Sequence, residues 1–316
     1  MFDVHKTKLK QMKKLLMLSM LLALTIWSCE PANAQAVTPS YTKTQILNVE
    51  YGHAMNVYGQ DEKLLCDITI SNNPIPQPLI IFQHGGGEFQ GDKAGSGTGV
   101  VWNYEVSTLG VAVSSGNYRL ANPFQFLGAD EATCTKLMNE QLYRAIQDMF
   151  AQARFFANPV NAARYNIDPN QIFFAGISAG ALNALMCVHW QAAEYGALID
   201  TSRWVNKSNL GFKFRIAGAI SLSGALLASA EIEPTTIPIM DIHGLLDKTL
   251  RVEGGVNHKV KYTGIYDIVA QSEWYDNPIM TLYLPKAGHT LSDADGTKHA
   301  TEIKLFIYKF LKLYIV

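Results

Sequence analysis

The chain has 316 residues, 48% of them hydrophobic and 17% charged, and a formal net charge of −1. That is the composition of a water-soluble globular protein, long enough for one large α/β domain with a substantial core. Balanced charge supplies no field for nucleic acid, and no polybasic run lies outside the N-terminus, so nucleic-acid partners are excluded.

Residues 1–36 read as an export signal rather than part of the fold, which leaves 37–316 as one domain. Lys13 and Lys14 precede an apolar stretch, Leu15 to Trp27, followed by small and polar residues. Lys6, Lys8 and Lys10 lie upstream, and a start at Met12 gives a more compact signal. Two processing routes stay open. Ala32-Asn33-Ala34 and Ala34-Gln35-Ala36 fit the small-x-small rule for cleavage, whereas Ile26-Trp27-Ser28-Cys29 resembles a lipoprotein box. Only the second route makes the membrane a partner, through a lipid on Cys29. The apolar run is short of the roughly 20 residues that span a bilayer.

Of four cysteines, Cys66, Cys134 and Cys187 remain after the signal, so at most one intrachain disulfide is expected and the sequence does not choose the pair. No C-x-x-C or His/Cys cluster points to a metal, and no cofactor is expected.

Residues 44–50 and 63–70 read as two edge strands, Ile68 and Ile70 alternating with polar residues. The Pro74, Pro76, Pro78 run delivers a buried strand, Leu79-Ile80-Ile81-Phe82, which opens into His84-Gly85-Gly86-Gly87. Residues 98–109 suit a helix, and Val111 to Ser114 a buried strand. A polar and aromatic segment runs from Leu120 to about Cys134, then Leu137 to Ala157 forms an amphipathic helix. A turn over 165–170 leads into the apolar run Ile172–Ala175. Residues 196–214 are irregular, anchored by Trp204; with 120–134 they are expected to shape a pocket. Strands at 215–222, 237–243 and 279–284 follow, with a helix over 262–275 and another from about Thr297. Eight strands alternating with helices predict an α/β fold, a mostly parallel sheet with helices on both faces.

The chain is organised around Gly176-Ile177-Ser178-Ala179-Gly180, where the apolar strand breaks and a helix-forming stretch begins at once. This strand–turn–helix setting gives G-x-S-x-G its meaning: a serine on a sharp elbow above the sheet edge, beside a helix N-terminus. A hydroxyl is a poor nucleophile until a base removes its proton, and the base needs an orienting carboxylate. Of eight histidines, His289 follows a strand at the same sheet edge in Pro285-Lys286-Ala287-Gly288-His289, with His299 and His258 as alternatives. His189 reads as a satisfied, half-buried residue, and His84 and His243 as loop-shaping residues. Asp247 is presented one strand earlier, in His243-Gly244-Leu245-Leu246-Asp247, with Asp241 as its rival. Gly86, Gly87 and Ala179 are the candidate backbone donors for an oxyanion.

His84-Gly85-Gly86-Gly87, Gly91-Asp92-Lys93, Tyr118-Arg119-Leu120, Asp148, the serine pentapeptide, His243-Gly244-x-x-Asp247 and Gly288-His289 together resemble the α/β-hydrolase superfamily. The resemblance is to its carboxylesterase and hormone-sensitive-lipase-like branch, with secreted feruloyl- and acetyl-esterase-like members, and covers about 44–316. It implies Ser178 as nucleophile, His289 as base, Asp247 as acid and Gly86, Gly87 and Ala179 as oxyanion donors. The expected activity is an exported serine hydrolase acting on carboxylic esters, small or linked to polysaccharide. A peptidase on the same triad and a catalytically silent binding module are the alternatives. Glu88 departs from the aromatic or aliphatic residue usual after the glycines, and is expected either to disfavour anionic substrates or to point to solvent.

Overall fold

The computed structural model describes residues 40–94, 102–189, 198–293, 295–296 and 298–316. The expected export signal and residues 98–101 of the expected 98–109 helix lie outside the described residues.

β1 (Lys43–Met55) and β2 (Asp61–Ser71) pair antiparallel. β2 also pairs with β4 (Ala112–Gly116), so it lies inside the sheet and, of these two strands, β1 alone is at an edge. The expected alternation holds only in part: Leu64, Cys66 and Ile68 are fully buried, but Asp67 is buried too and Ile70 is half-buried. β3 (Gln77–Gln83) is buried at every position, as expected of a continuous apolar run covered on both faces. α1 (Asn103–Leu109) lies between β3 and β4.

α2 (Glu131–Ala157) starts two turns earlier than its apolar stripe implies. The Asp130 side chain accepts the Thr133 N–H at 2.7 Å, a cap that starts the helix within a polar stretch. α3 (Pro159–Tyr165), unforeseen, has Pro at its first position and an Asn158 cap, both helix-start signals. β5 (Ile167–Ile177) absorbs the expected turn before the elbow, and α4 (Ala179–His189) follows.

Beyond α4 come β6 (Ile216–Leu222), a two-residue β7 (Leu226–Leu227) and β8 (Ile239–Gly244). β9 (Gly255–Asn257) and β10 (Val260–Thr263) form a hairpin that pairs with β7 in a separate three-stranded sheet. Residues 262–263 are therefore strand, not helix; α5 (Ile265–Trp274) starts after Gly264. β11 (Ile279–Leu284) and α6 (Ala300–Tyr314) complete the chain.

The main sheet has eight strands in the order β1-β2-β4-β3-β5-β6-β8-β11, and every pairing from β4 to β11 is parallel. Parallel strands bring their C-terminal ends to one edge, where the glycine run after β3, the elbow after β5 and the loops after β8 and β11 all emerge. Alternate residues build two cores. Ile80, Phe82, Phe173 and Met240 pack with α1 and α6 through Val106, Phe306 and Phe310 on one face. Leu79, Ile81, Phe174 and Ile239 pack with α2, α4 and α5 through Ile146, Leu185 and Ile268 on the other. Cys66, Cys134 and Cys187 are all buried and free, so none of the possible pairs forms.

A buried ion pair ties these layers together. Arg119, after β4, and Asp148, on α2, are both fully buried and 2.9 Å apart. Asp148 also accepts from the Asn206 side chain at 2.8 Å, and Arg119 donates to the backbone carbonyls of Met55 and Trp204. The segment after residue 198 is thereby clamped to α2 and β1. Removing one partner strands the other charge in the interior, so Asp148→Ala is expected to lose about 3–5 kcal/mol of unfolding free energy in urea titration. A loss below about 1 kcal/mol would show that the pair carries little of the clamp.

Candidate active site

Ser178 leaves β5 with φ of +55°, a left-handed conformation costly for a residue with a Cβ. It is held there by its N–H donating to the Leu222 carbonyl at 2.9 Å and its own carbonyl accepting from Leu182 at 3.0 Å. The helix crosses the strand so closely that a Cβ on Gly176 would overlap the Gly180 carbonyl, and one on Gly180 the Gln83 carbonyl. Both glycines of the pentapeptide are thus fixed by contact.

The structure brings the three distant side chains into one line. The Ser178 hydroxyl lies 2.8 Å from His289 Nε2, and His289 Nδ1 lies 2.7 Å from Asp247 Oδ2. An ionised carboxylate only accepts, so Nδ1 carries the hydrogen and Nε2 is left to accept from the serine. Asp247 Oδ1 accepts the backbone N–H groups of Thr249 at 2.7 Å and Leu250 at 3.0 Å. Burial pushes this carboxyl up, but hydrogen bonds from His243 and His289 outweigh it and hold Asp247 well below the usual carboxylate range.

Gly86, Gly87 and Ala179 line one cavity of about 270 Å³ together with Ser178 and His289. The loop is closed by Phe89 N–H donating to the Gly86 carbonyl at 3.1 Å. Beside it, the His84 ring bonds the Gly85 carbonyl at 2.7 Å and stacks on Tyr118 at 4.6 Å, the loop-shaping role expected of it. Met138, Leu142 and Leu182 give the cavity an apolar wall from α2 and α4, and Asn257, His258 and Tyr262 a polar wall from the small sheet. Segments 120–134 and 196–214, expected to shape the pocket, contribute none of its lining among the described residues, which leave out 196 and 197. The polar wall comes instead from a hairpin with no apolar run to announce it.

Among the described residues, no other histidine is hydrogen-bonded to Ser178. His299 is bonded to Asp293 and Glu302 at 2.8 Å each, and His258 turns its ring toward Phe89 at 6.3 Å. His189 is buried rather than half-buried, and neither ring nitrogen has a partner among the described residues; burial pulls it down to about 4. His243 does more than shape a loop, its Nε2 reaching Asp247 Oδ2 at 3.1 Å. Asp241 does not reach His289; its Oδ1 accepts the Ser221 hydroxyl within β8 and β6. Among the described residues, no group of three or more His, Cys, Asp or Glu is placed to hold a metal ion.

Glu88 does not point to solvent. It is 3% exposed, lines the cavity and accepts from the Gln141 side chain at 3.1 Å, while its other oxygen has no partner. Burial raises its carboxyl from 4.5 to about 7, against the pull of Gln141, Asn183 and Arg144. Between those values the unfolded chain releases a proton that the folded chain keeps, so stability falls as pH rises through the window. The unfolding free energy of Glu88→Gln, relative to wild type, is therefore expected to improve by about 3 kcal/mol from pH 4 to pH 8. A difference that stays constant with pH would show that folding leaves the proton affinity of Glu88 unchanged.

Residues 66–226 match the BD-FAE family, a span that runs from β2 through the elbow helix to β7. No curated protein matches the chain. A truncated carbohydrate esterase from gut microbiota is 16% identical with a TM-score of 0.57, over 86% of this chain and 97% of that one. A thermophilic esterase from Thermogutta terrifontis with butyrate bound is 15% identical with a TM-score of 0.56, over 88% and 95%. The same organism's esterase 2, phosphorylated by paraoxon, gives 16% and 0.52, over 86% and 94%. At such identities the likeness speaks for the fold, which is the α/β-hydrolase fold. The family match spans half of the sequence, and the chain belongs to the BD-FAE family of α/β-hydrolase-type esterases.

Proposed function

We propose that the protein is a serine carboxylesterase in which Ser178 is the nucleophile, His289 the general base and Asp247 the residue that orients it. One observation carries the reading: the unbroken line from Ser178 Oγ through His289 to Asp247, 2.8 Å and 2.7 Å, at the mouth of a cavity. As Ser178 Oγ attacks the ester carbonyl, His289 Nε2 takes the hydroxyl proton, and Asp247 stabilises the imidazolium that forms. Negative charge on the carbonyl oxygen is met by backbone N–H groups of Gly86, Gly87 and Ala179, the last at the N-terminus of α4. His289 then gives its proton to the departing alcohol, leaving an acyl group on Ser178. Water activated by the same imidazole releases the acid. A binding module without chemistry has no use for a strained, base-paired serine.

The cavity favours short or single-ring acyl groups, such as acetyl or feruloyl, joined to a carbohydrate alcohol. Its apolar wall suits the acyl part, and its polar wall of Asn257, His258 and Tyr262 suits sugar hydroxyls. The protein with the TM-score of 0.57 being a carbohydrate esterase supports the same substrate class. The N-terminal sequence further supports export, either cleaved after Ala34 or Ala36 or anchored through Cys29.

Purified protein is expected to hydrolyse p-nitrophenyl acetate, with Ser178→Ala at least about a thousandfold slower in kcat. Equal rates for the two proteins would remove Ser178 from the chemistry. In a panel of acetylated and feruloylated oligosaccharides and long-chain aliphatic esters, kcat/KM is expected to favour the first two; a preference for long chains overturns the substrate class. Mass spectrometry of the exported protein is expected to find an N-terminus just after position 34 or 36, or a lipid on Cys29; an intact Met1 or Met12 contradicts export.

A further inference from the structure

Behind the serine line lies a second histidine that the reaction described above does not use. His243 is the fifth residue of β8, and its side chain, like those of Asp241 and Asp247, is fully buried. Its Nε2 stands 3.1 Å from Asp247 Oδ2 and 2.8 Å from the Leu250 carbonyl. Both are acceptors, so Nε2 carries a hydrogen. Its Nδ1 stands 3.4 Å from Asp241 Oδ2 without a hydrogen bond. Asp241 Oδ1 is engaged with the Ser221 hydroxyl, which leaves Oδ2 facing the ring. A bare nitrogen lone pair against a carboxylate in a dry interior is repulsive, and a hydrogen on Nδ1 makes the contact attractive.

We propose that His243 is a positioning residue for the hydrolytic reaction, a buried imidazolium shared by Asp241 and Asp247 that fixes the Asp247 carboxylate and sets how strongly His289 holds its proton. The inference rests on the assignment of Ser178, His289 and Asp247 made above. With His243, Asp247 receives four donors: two backbone N–H groups on Oδ1 and two imidazoles on Oδ2. A carboxylate so held has no freedom to rotate away from His289. The positive charge matters as well. Two buried carboxylates would leave uncompensated negative charge behind His289, and a cation between them offsets one of the two.

The surroundings support this charge state. Facing the cluster are Asp241 on β8, Asp247 on the following loop, Ser221 on β6 and Tyr283 on β11, the register partner of His243. Tyr266 of α5 packs edge-on against Tyr283, and Glu273 acts on Tyr283 from the end of the same helix. Within this set only His243 and His289 can carry positive charge. Burial pulls the His243 ring down, but its contacts with Asp241 and Asp247 outweigh this and push it up to about 10.

The test is nuclear magnetic resonance of the full-length protein with nitrogen-labelled histidine, followed from pH 5 to 9. His243, assigned through its proximity to Leu250, is expected to keep both ring nitrogens protonated throughout. In His243→Gln the titration midpoint of His289 is expected to rise by about one pH unit, and the acid limb of kcat/KM on p-nitrophenyl acetate with it. Asp241→Asn/His243→Gln, which loses one charge of each sign, is expected to return both toward wild type. A neutral His243 ring at pH 8 in the wild type overturns the proposal, as does an unmoved His289 midpoint in folded His243→Gln. If that variant does not fold, the wild-type spectrum decides. The spectra need no substrate, so failure of the esterase reading is seen separately, as equal activity of Ser178→Ala and wild type.

Discussion

The close crossing of α4 over the end of β5 is the constraint on which the rest of the molecule depends. Strand and helix approach until Gly176 meets Gly180 and Gly180 meets Gln83, and no side chain fits between them. The one residue left at the apex, Ser178, is forced into a left-handed backbone. That conformation costs of order 1–3 kcal/mol and persists because the core around it over-determines the turn. Phe174 on β5 and Leu185 on α4 are fully buried in the same core. The strain is held by packing that would exist without any chemistry.

The second organising device is electrostatic. The parallel sheet delivers Asp247 and His289 to the serine, but position alone does not set their proton affinities. The site places a carboxylate with four donors on one side of the serine and, across the cavity, a carboxyl group starved of donors at Glu88. The same functional group is thereby ionised in one place and pushed toward neutrality in the other. The difference is the depth of burial, which is the larger cause at Glu88, together with the number of N–H groups within reach, which wins at Asp247.

Legibility in the sequence followed the physics of each element. The central strands of the main sheet were readable because both faces are covered and their residues run apolar, as in Leu79–Phe82 and Ile172–Ala175. Ser178, Asp247 and His289 were readable because a strand end at a known edge limits where a loop residue can reach. The first turns of α2 were hidden because Glu131 to Thr133 face solvent and carry no apolar stripe, with only the Asp130 cap to mark them. β7, β9 and β10 were hidden because strands of two to four residues carry no period. The burial of Glu88 depends on Gln141, 53 residues away, and no local pattern announces such a pairing. The bond from His243 to Asp247 spans only four residues, yet nothing in sequence separates it from an ordinary loop histidine.

The β9–β10 hairpin turns at His258 and Lys259, both with positive φ, in the two-residue geometry that usually calls for Asn-Gly. It reaches the cavity with Asn257, His258 and Tyr262, yet pairs only with the two residues of β7 and takes no part in the main sheet. Part of the cavity wall is thus carried on a peripheral cassette, while Ser178, Asp247 and His289 are carried at the ends of main-sheet strands. Exchanging that cassette offers evolution, or an engineer, a route to new substrates that leaves the reacting atoms where they are.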